Sequence, residues 1–236
     1  MEYWGSDVIQ WDIAKNYTLF DEEMMARVYP RLNDEKKRRD INKINQLVGA
    51  HIVGDYSLKP FSPNSIVVRQ VLDVHNLPFV GCEQTGEEIN IVHAPTNRDI
   101  KGTALILADI DVLQKQGHKI KITLVENVPH SDAIEIYKRA DIVIDDVLQG
   151  PYGIFAMECM ALGKPVLCRI DDKLKKYYKG LPIMNTPNDK IKENLVKLIY
   201  DPLLRAELGR RGREYVEKNH DANTIASQLL GIYKAI

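Results

Sequence analysis

From residue 88 to the last residues, short apolar runs alternate regularly with amphipathic segments. The apolar runs, which predict buried strands, lie at residues 89–93, 119–125, 142–144 and 165–168. The segments with apolar positions at helical spacing, which predict helices, lie at residues 103–116, 132–139, 154–162, 192–200, 202–218 and 222–236. Ser131 is a candidate N-cap for the second of these helices. Strands that alternate with helices in this way predict a parallel sheet with right-handed crossovers, which is a Rossmann-like α/β fold.

Residues 1–80 show a less regular pattern. It predicts one helix and two short strands, at residues 33–48, 51–53 and 65–68. The chain opens with an aromatic and polar stretch instead of a hydrophobic strand and a turn, so we expect that part of an α/β domain is missing before it. The acidic, glycine-containing stretch at residues 79–88 is the best linker candidate. We therefore predict a partial N-terminal domain at residues 1–80 and a second domain at residues 81–236.

The composition argues against several classes of protein. With 236 residues, 44% of them hydrophobic, the chain is long enough to bury a sizeable core. Thirty-two basic and thirty-three acidic residues give a net charge of −1, which argues against binding to nucleic acid through bulk charge. The 3 cysteines are too few and too scattered for a disulfide framework or a four-ligand zinc site. The sequence shows neither a run of roughly 18–20 apolar residues nor a signal peptide, so we expect a cytoplasmic protein, with peripheral contact at the inner membrane face left open.

The stretch after the third predicted strand carries the first candidate chemistry. Two glycines and a proline interrupt the chain at residues 150–153, and an apolar helix begins at Ile154. Open α/β sheets bind ligands at the carboxyl ends of parallel strands, where the first N–H groups of the next helix can hold an anion. Glu158 lies in this helix among apolar neighbours, and an ionised carboxylate there needs a partner. It is either a ligand-binding group or a carboxylate at the rim of the helix with backbone or solvent hydrogen bonds.

This stretch resembles the signature of retaining GT-B glycosyltransferases of family 4, the group 1 glycosyl transferases. The residues that carry the resemblance are Gly153, Glu158, Met160, Ala161, Gly163, Pro165 and Val166. In that family a Glu-x7-Glu motif leads into Ala-Met-Ala-x-Gly-x-Pro-Val, and its second Glu binds the ribose hydroxyls of the nucleotide sugar. The resemblance gives this role to Glu158, and it places the N–H groups around Gly153 and Ile154 at the diphosphate. Gly150 stands where the family has its first Glu, which leaves the contact with the transferred sugar unassigned.

The loop after the first predicted strand, at residues 93–102, carries a second cluster. It has neither Gly-x-Gly-x-x-Gly nor Gly-Lys-Ser/Thr, which argues against NAD and P-loop chemistry. The family has a Gly-Arg…Lys-Gly element here, whose cations hold the diphosphate, and Lys101 with Gly102 matches its end. The resemblance therefore makes Lys101 a diphosphate-binding residue. Arg98 is a displaced candidate for the arginine, because Ala-Pro replaces Gly-Arg. Without the resemblance, both side chains are charges on an exposed loop.

Three further groups have two interpretations each. The resemblance directs the Gly-Ser-Asp-Val element at residues 5–8 towards the interdomain cleft and makes Asp7 a candidate catalytic residue, whereas the pattern itself favours a capped turn. The adjacent carboxylates Asp145 and Asp146 are either magnesium ligands or caps of the loop that follows their strand. The four lysines and two tyrosines at residues 173–179 suit either an anionic membrane or substrate, or a solvated helix with the tyrosines beneath it.

The resemblance implies a GT-B glycosyltransferase that transfers a sugar from a UDP- or GDP-sugar, with retention, to a glycan, glycolipid or protein acceptor. We expect a role in cell-surface glycan or polysaccharide synthesis. Cations and backbone donors are sufficient to stabilise a departing diphosphate, so we expect no cofactor and no metal. Two alternatives stay open. One is a non-catalytic module of the same fold that binds a nucleotide or a partner protein, which the replacement at Gly150 favours. The other is a sugar-nucleotide epimerase of GT-B shape.

Overall fold

The computed structural model of the protein describes residues 1–5, 7–28, 33–82 and 88–236. Its strands are β1 (Glu2–Tyr3), β2 (Ile52–Val53), β3 (Ile66–Val67), β4 (Ile89–His93), β5 (Ile120–Leu124), β6 (Ile142–Ile144), β7 (Val166–Cys168) and β8 (Met184–Asn185). Its helices are α1 (Trp11–Ala14), α2 (Glu22–Val28), α3 (Asp34–Leu47), α4 (Arg98–Lys101), α5 (Thr103–Lys115), α6 (His130–Lys138), α7 (Ile154–Ala161), α8 (Asp172–Lys175), α9 (Ile191–Tyr200), α10 (Pro202–His220) and α11 (Ala222–Lys234). Among these helices of the described residues, none combines the length and the hydropathy that crossing a membrane requires. Ser6, and residues 83–87 of the predicted linker, lie outside the described residues.

The larger sheet has five parallel strands in the order β5–β4–β6–β7–β8. The four strands predicted there are confirmed, and β8 is a fifth that the hydrophobic pattern did not show, because its two residues are only half-buried. Parallel pairing follows from the helical crossovers that join the strands. The chain passes from β4 to β5 on one side and then to β6 on the other side of β4. This reversal creates a topological switch point at the carboxyl ends of β4 and β6.

The central strands of the larger sheet, β4, β6 and β7, are buried on both faces, whereas the edge strands β5 and β8 are partly exposed. Ile91 of β4 packs in the hydrophobic cluster that includes residues of α5 and α9, whereas its neighbour Val92 packs in the cluster that includes residues of α6 and α7. Successive strand residues point to opposite faces, so a strand covered on both sides is apolar throughout. This explains why β6 and β7 are continuous apolar runs in the sequence and why β4 is apolar except at Asn90 and His93.

The helix boundaries follow local signals, with two exceptions. Asn33 caps α3 by accepting a hydrogen bond from the N–H of Lys36 at 2.8 Å, and the helix predicted over residues 33–48 is confirmed. The prediction that Ser131 caps α6 is wrong, because that helix begins at His130, directly after Pro129, and has no side-chain cap. Pro129 is itself the N-cap residue, with an extended ψ of 147°, and its carbonyl oxygen accepts hydrogen bonds from the N–H groups of Asp132 and Ala133. Of the helix expected at residues 173–179, only α8 forms.

The smaller sheet has three parallel strands in the order β1–β2–β3. The last helix, α11, covers it, because Ile225 packs against Ile52. The chain enters α11 after His220, whose carbonyl oxygen accepts a hydrogen bond from the N–H of Leu72 at 2.8 Å. The final helix is thereby attached to the first part of the chain. The predicted domain boundary after residue 80 stays a prediction.

Candidate functional site

The segments that follow β4 and β6 meet at the switch point of the larger sheet. His93, the last residue of β4, is fully buried. Its Nδ1 lies 2.8 Å from the carbonyl oxygen of Ile144, and its Nε2 lies 2.9 Å from Oγ1 of Thr103. Burial lowers the pKa of His93, so the ring is neutral at pH 7. A neutral ring that donates from Nδ1 accepts at Nε2 from the threonine hydroxyl, so His93 fixes the start of α5 against the end of β6.

Lys101 and Asp145 form a buried ion pair at the switch point. Lys101 Nζ lies 2.6 Å from Oδ1 of Asp145, and the two side chains are 15% and 0% exposed. Burial alone would lower the pKa of Lys101, but the charges of Asp145 and Asp146 outweigh burial and raise it. The N–H of Gly153 points to Oδ2 of Asp145 at 3.5 Å, and a Cβ at Gly153 would lie 3.9 Å from Lys101 Nζ. The structure therefore brings Lys101 and Gly153 together around one carboxylate.

Asp146 has a structural role in the same loop. One of its carboxylate oxygens, Oδ1, accepts hydrogen bonds from the N–H groups of Leu148 and Gln149, both at 2.8 Å. This is the loop cap that the sequence allowed as the alternative to a magnesium ligand. Burial raises the pKa of Asp146 to about 6, although the charge of Lys101 acts in the opposite direction.

A cavity of about 710 Å³ opens beyond the carboxyl ends of β4 and β5. Its walls are the loops after these strands and the first turns of α6, with the residues Ala94, Pro95, Thr96, Asn97, Arg98, Asp99, Val125, Glu126, Asn127, Val128, His130, Ala133 and Tyr137. Arg98 forms a bidentate pair with Glu126, in which Arg98 Nε lies 2.9 Å from Oε1 and Nη2 contacts Oε2. The Arg98 side chain is 56% exposed. Its guanidinium therefore lies in the cavity wall, bound to Glu126.

Glu158, in the second turn of α7, has the partner that its burial requires. Its side chain is 9% exposed, and its Oε1 lies 2.7 Å from Nε2 of His130. His130 is the first residue of α6, lines the cavity and is 72% exposed. Glu158 does not itself line the cavity that Arg98 lines; His130 lies between the carboxylate and the cavity. The contact also removes the cost of an unpaired carboxylate in an apolar helix.

Comparison with known proteins gives the family of this site. The sequence profile of the family described as glycosyl transferase-like matches residues 96–231, which is more than half of the chain. The chain belongs to the glycosyl transferase-like family. An uncharacterised glycosyltransferase of Methanocaldococcus jannaschii is 23% identical over 128 residues, which are 52% of this chain and 33% of the relative. This member of the family therefore spans about a third of the length of that relative.

Two solved structures resemble this member of the glycosyl transferase-like family. A mutant of S. aureus TarM, in complex with fondaparinux, α-GlcNAc-glycerol and UDP, matches with a TM-score of 0.69 at 13% identity, over 92% of this chain and 49% of TarM. Anabaena HepE, in complex with UDP and glucose, matches with a TM-score of 0.67 at 12% identity, over 86% of this chain and 68% of HepE. At these identities the likeness concerns the fold, which is of GT-B type, as the sequence predicted.

The structure gives a physical reason for the glycine where the signature has its first Glu. A Cβ at Gly150 would lie 2.8 Å from Cβ of Asp171 and 2.9 Å from the carbonyl oxygen of Tyr17. The same carbonyl accepts a hydrogen bond from Arg169 Nη1 at 3.0 Å, and Arg169 Nη2 pairs with Asp171 Oδ2 at 2.8 Å. N-terminal backbone and a buried ion pair therefore occupy the place of that side chain. A Glu at this position would have to displace them.

The two remaining predicted residues, Ile154 and Asp7, do not line this cavity. Ile154 is the first residue of α7, and 52% of it is exposed. Asp7 accepts hydrogen bonds from the N–H groups of Trp4, at 3.2 Å, and Gly5, at 2.7 Å. This is the capped turn that the pattern favoured. Asp7 lines a different cavity, of about 260 Å³, beside α3.

Sequence reasoning missed three contacts at the site of this glycosyl transferase-like protein. Glu126 holds Arg98, His130 holds Glu158, and Asp145 holds Lys101. Glu126 and Asp145 each follow closely on the end of a parallel strand, which is the signal that points to a site residue. The contacts themselves join residues 28 or 44 positions apart, so they depend on the packing of the elements.

Proposed function

We propose that this chain forms the donor-binding part of a retaining glycosyltransferase that uses a UDP- or GDP-sugar. One observation carries the proposal: the buried carboxylate of Glu158 contacts His130 in the wall of a cavity at the carboxyl ends of β4 and β5, and Lys101 meets Gly153 at the switch point of the same sheet. Two carboxylate oxygens can accept from both hydroxyls of a ribose. A lysine and the N-terminus of a helix are suited to a diphosphate. TarM and HepE were both solved with UDP, which supports UDP as the first nucleotide to test.

In the proposed complex, Glu158 binds the ribose and the rest of the nucleoside occupies the cavity. Lys101 and Arg98 bind the diphosphate, together with the N–H groups of Gly153 and Ile154. Each cation is paired with a carboxylate, Lys101 with Asp145 and Arg98 with Glu126. When the diphosphate binds, each cation must therefore either contact a phosphate oxygen in addition to its carboxylate or leave the carboxylate for the phosphate oxygen. The exchange keeps the charge of the buried lysine compensated.

The proposed reaction breaks the bond between the anomeric carbon of the sugar and an oxygen of the diphosphate. The new bond joins that carbon to a hydroxyl oxygen of the acceptor, and the hydroxyl proton passes to the departing diphosphate on the same face of the sugar. Negative charge develops on the leaving oxygen, so cations and backbone N–H groups placed there stabilise the transition state. This route requires no protein nucleophile, cofactor or metal.

The biological setting is part of the proposal. The acceptor is a glycan, glycolipid or protein, and the process is polysaccharide or cell-surface glycan synthesis. The proposed location is the cytoplasm, with contact at the inner face of the membrane. Three buried free cysteines, Cys82, Cys159 and Cys168, suit a reducing compartment.

Calorimetric titration with UDP and with GDP tests the donor site. We expect one of them to bind with micromolar to millimolar affinity, and we expect Glu158→Ala to weaken binding at least about tenfold, or ~1.4 kcal/mol. Glu135→Ala is the matched control, because Glu135 lies in α6 and its side chain is 60% exposed. If neither nucleotide binds at millimolar concentration, the donor-site proposal is wrong.

The non-catalytic binding module is the second candidate, and the filled space at Gly150 is the observation that favours it. Incubation with UDP-glucose and with UDP-N-acetylglucosamine, with and without a glycan acceptor, distinguishes the two. Release of UDP that depends on acceptor supports the transferase. Binding of UDP without any release supports the module. An altered sugar nucleotide formed without acceptor supports the epimerase.

A further inference from the structure

A second cavity, of about 650 Å³, opens between the segment after α8 and one face of α10. Four exposed cationic side chains lie along it, those of Lys176, Lys179, Arg211 and Lys218, and we call this cavity the basic groove. Its one carboxylate, that of Glu214, is paired with Arg210. The positive charge of the groove is thus in excess, although the chain as a whole has a net charge of −1.

A buried arginine lies beneath the groove and adds to this charge. Arg69 is 9% exposed, and its Nη1 donates to the hydroxyl of Tyr215 at 3.1 Å and to Oδ1 of Asn219 at 3.4 Å, both of which line the groove. Its Nε is buried without a hydrogen-bond partner. Among the described residues, no carboxylate lies within the 4.0 Å of an ion pair with Arg69.

Aromatic rings surround this arginine in place of a carboxylate. The guanidinium carbon of Arg69 lies 5.4 to 5.9 Å from the ring centroids of four tyrosines, Tyr56, Tyr152, Tyr178 and Tyr215. Cation–π contacts stabilise a buried guanidinium that has no carboxylate in direct contact. The carboxylate of Asp55 lies one side chain away, where it accepts a hydrogen bond from the hydroxyl of Tyr178. Positive charge therefore reaches the groove from its floor as well as from its walls.

The groove also has an aromatic wall. The rings of Tyr56 and Tyr177 stack at 4.9 Å with an interplanar angle of 6°, both line the groove, and Tyr177 is 42% exposed. Lys176 Nζ lies 4.8 Å from the ring centroid of Tyr177, so a ligand reaches that ring by displacing the exposed ammonium. Rings of this kind offer apolar contact area with a polar hydroxyl at one edge, which suits the mixed CH and OH surface of a sugar. Cations beside aromatic rings in a concave site fit a ligand that has both negative charge and sugar rings. A flat membrane surface is a poorer match, because Tyr215 and Asn219 at the bottom of the groove are buried or half-buried.

We propose that the basic groove binds an anionic oligosaccharide, whose sulfate, phosphate or carboxylate groups pair with Lys179 and Lys218 while a sugar ring packs against Tyr177. The groove connects with the proposed donor site through one residue. The hydroxyl of Tyr152 contacts Arg69 and lies 3.2 Å from the hydroxyl of Tyr215, and Tyr152 directly precedes Gly153. The buried side chain of Tyr152 thus separates the groove from the donor loop, and we assign the groove to holding a charged acceptor, a role that rests on the transferase function proposed above.

Binding of a sulfated heparin pentasaccharide, measured by calorimetry, tests the groove, with maltopentaose as the neutral probe of equal length. We expect the wild-type chain to bind the sulfated probe and not the neutral one. The double variant Lys179→Gln/Lys218→Gln is expected to lose at least about tenfold in affinity, because two charge-assisted contacts are removed. Tyr177→Ala is expected to lower the affinity for the sulfated pentasaccharide and to leave the affinity for inorganic phosphate unchanged.

The matched control is Lys121→Gln/Lys234→Gln, which removes the same charge from two exposed lysines outside the groove. The proposal is overturned if the pentasaccharide fails to bind, or if both double variants lose affinity equally. It is also overturned if inorganic phosphate binds as tightly as the pentasaccharide, or if the groove lysines are needed only for sedimentation with phosphatidylglycerol vesicles. The affinity for UDP is measured in parallel. Failure to bind UDP contradicts the proposed donor site, and failure to bind the pentasaccharide contradicts the proposed groove, so the two failures can be told apart.

Discussion

The Nε2 atom of His130 lies 2.7 Å from Oε1 of Glu158, so an exposed imidazole covers a buried carboxylate at the edge of the cavity. A ribose that takes both oxygens of Glu158 must replace this contact. In the proposed site, His130 therefore occupies Glu158 in the free protein and has to release it when the nucleotide binds.

His130→Ala is expected to tighten the binding of UDP by a few-fold up to about tenfold. In the wild type the ribose must replace the hydrogen bond between His130 and Glu158, which contributes about 0.5–1.5 kcal/mol net. The variant lacks this hydrogen bond, so UDP binding no longer has to break it. Calorimetry at constant pH measures the change, and His118→Ala is the control, because His118 contacts Tyr200 outside the cavity. A fall in affinity of tenfold or more would mean that the imidazole itself contacts the nucleotide.

Lys101→Met is expected to destabilise the fold by about 3–5 kcal/mol, because it leaves the fully buried carboxylate of Asp145 without its cation. Urea denaturation gives the free energy of unfolding. The double variant Lys101→Met/Asp145→Leu is expected to recover part of the loss, since it removes the charge that was left unpaired. The exposed lysine in Lys190→Met is the control and should leave the unfolding midpoint unchanged. If Lys101→Met unfolds at the wild-type midpoint, the pair does not stabilise the fold.

Asp146 is expected to give the stability a pH dependence of unusual sign. Burial raises the pKa of Asp146 to about 6, whereas its ordinary value is 3.8. Between these values the folded chain holds a proton that the unfolded chain has lost, so this group contributes stability below pH 4 that is lost as the pH rises through 6. Each pKa unit corresponds to about 1.4 kcal/mol, so the loss is at most about 3 kcal/mol.

Denaturation of wild type and Asp146→Asn at several pH values isolates this contribution. The amide retains an oxygen that can accept from the N–H groups of Leu148 and Gln149. We expect the free energy of unfolding of the variant to rise relative to that of the wild type between pH 4 and pH 6. Above pH 7 the difference between the two should be constant. Asp172→Asn is the control: Lys175 lowers the pKa of that carboxyl, so its difference from wild type should not change between pH 4 and pH 7. A pH-independent difference for Asp146→Asn would contradict the prediction.

Gly209→Ala is expected to destabilise the fold by at least about 1–3 kcal/mol, because the new Cβ has no room. Gly209 lies in α10 where it packs on the end of α7, and a Cβ there would overlap the carbonyl oxygen of Gly163 and lie 2.8 Å from its carbon. Thermal denaturation measures the effect. Gly231→Ala in α11 is the matched helix substitution with open space around it, and we expect it to stabilise by up to about 1 kcal/mol. Equal shifts in both variants would contradict the close approach.

The sequence predicts most of the larger sheet because its central strands are buried on both faces. Such strands are mainly apolar runs, and the helices between them have a clear period, so the sequence predicts β6 at its observed bounds, residues 142–144. The half-buried strand at Met184–Asn185 has no such pattern and was missed. The sequence favours Ser131 as the cap of α6 because serine is a common N-cap, yet Pro129 holds the N-cap position two residues earlier.

The sequence predicts which residues belong to the candidate site, but it does not predict which of them are in contact. Lys101 and Glu158 were identified from short motifs, whereas their partners Asp145 and His130 come from other elements. Those contacts depend on how α6 packs beside α7 and on which strands are neighbours in the sheet. No local pattern contains that information, because it is set by tertiary packing.

The covering of β2 by α11 has a consequence for synthesis of the protein. Ile225 packs against Ile52 and is made some 170 residues after it. A ribosome adding about 5–20 residues per second therefore leaves the smaller sheet uncovered for roughly ten to thirty seconds. During that interval its apolar face is open to chaperones or to other nascent chains, and the final helix ends the exposure when it docks.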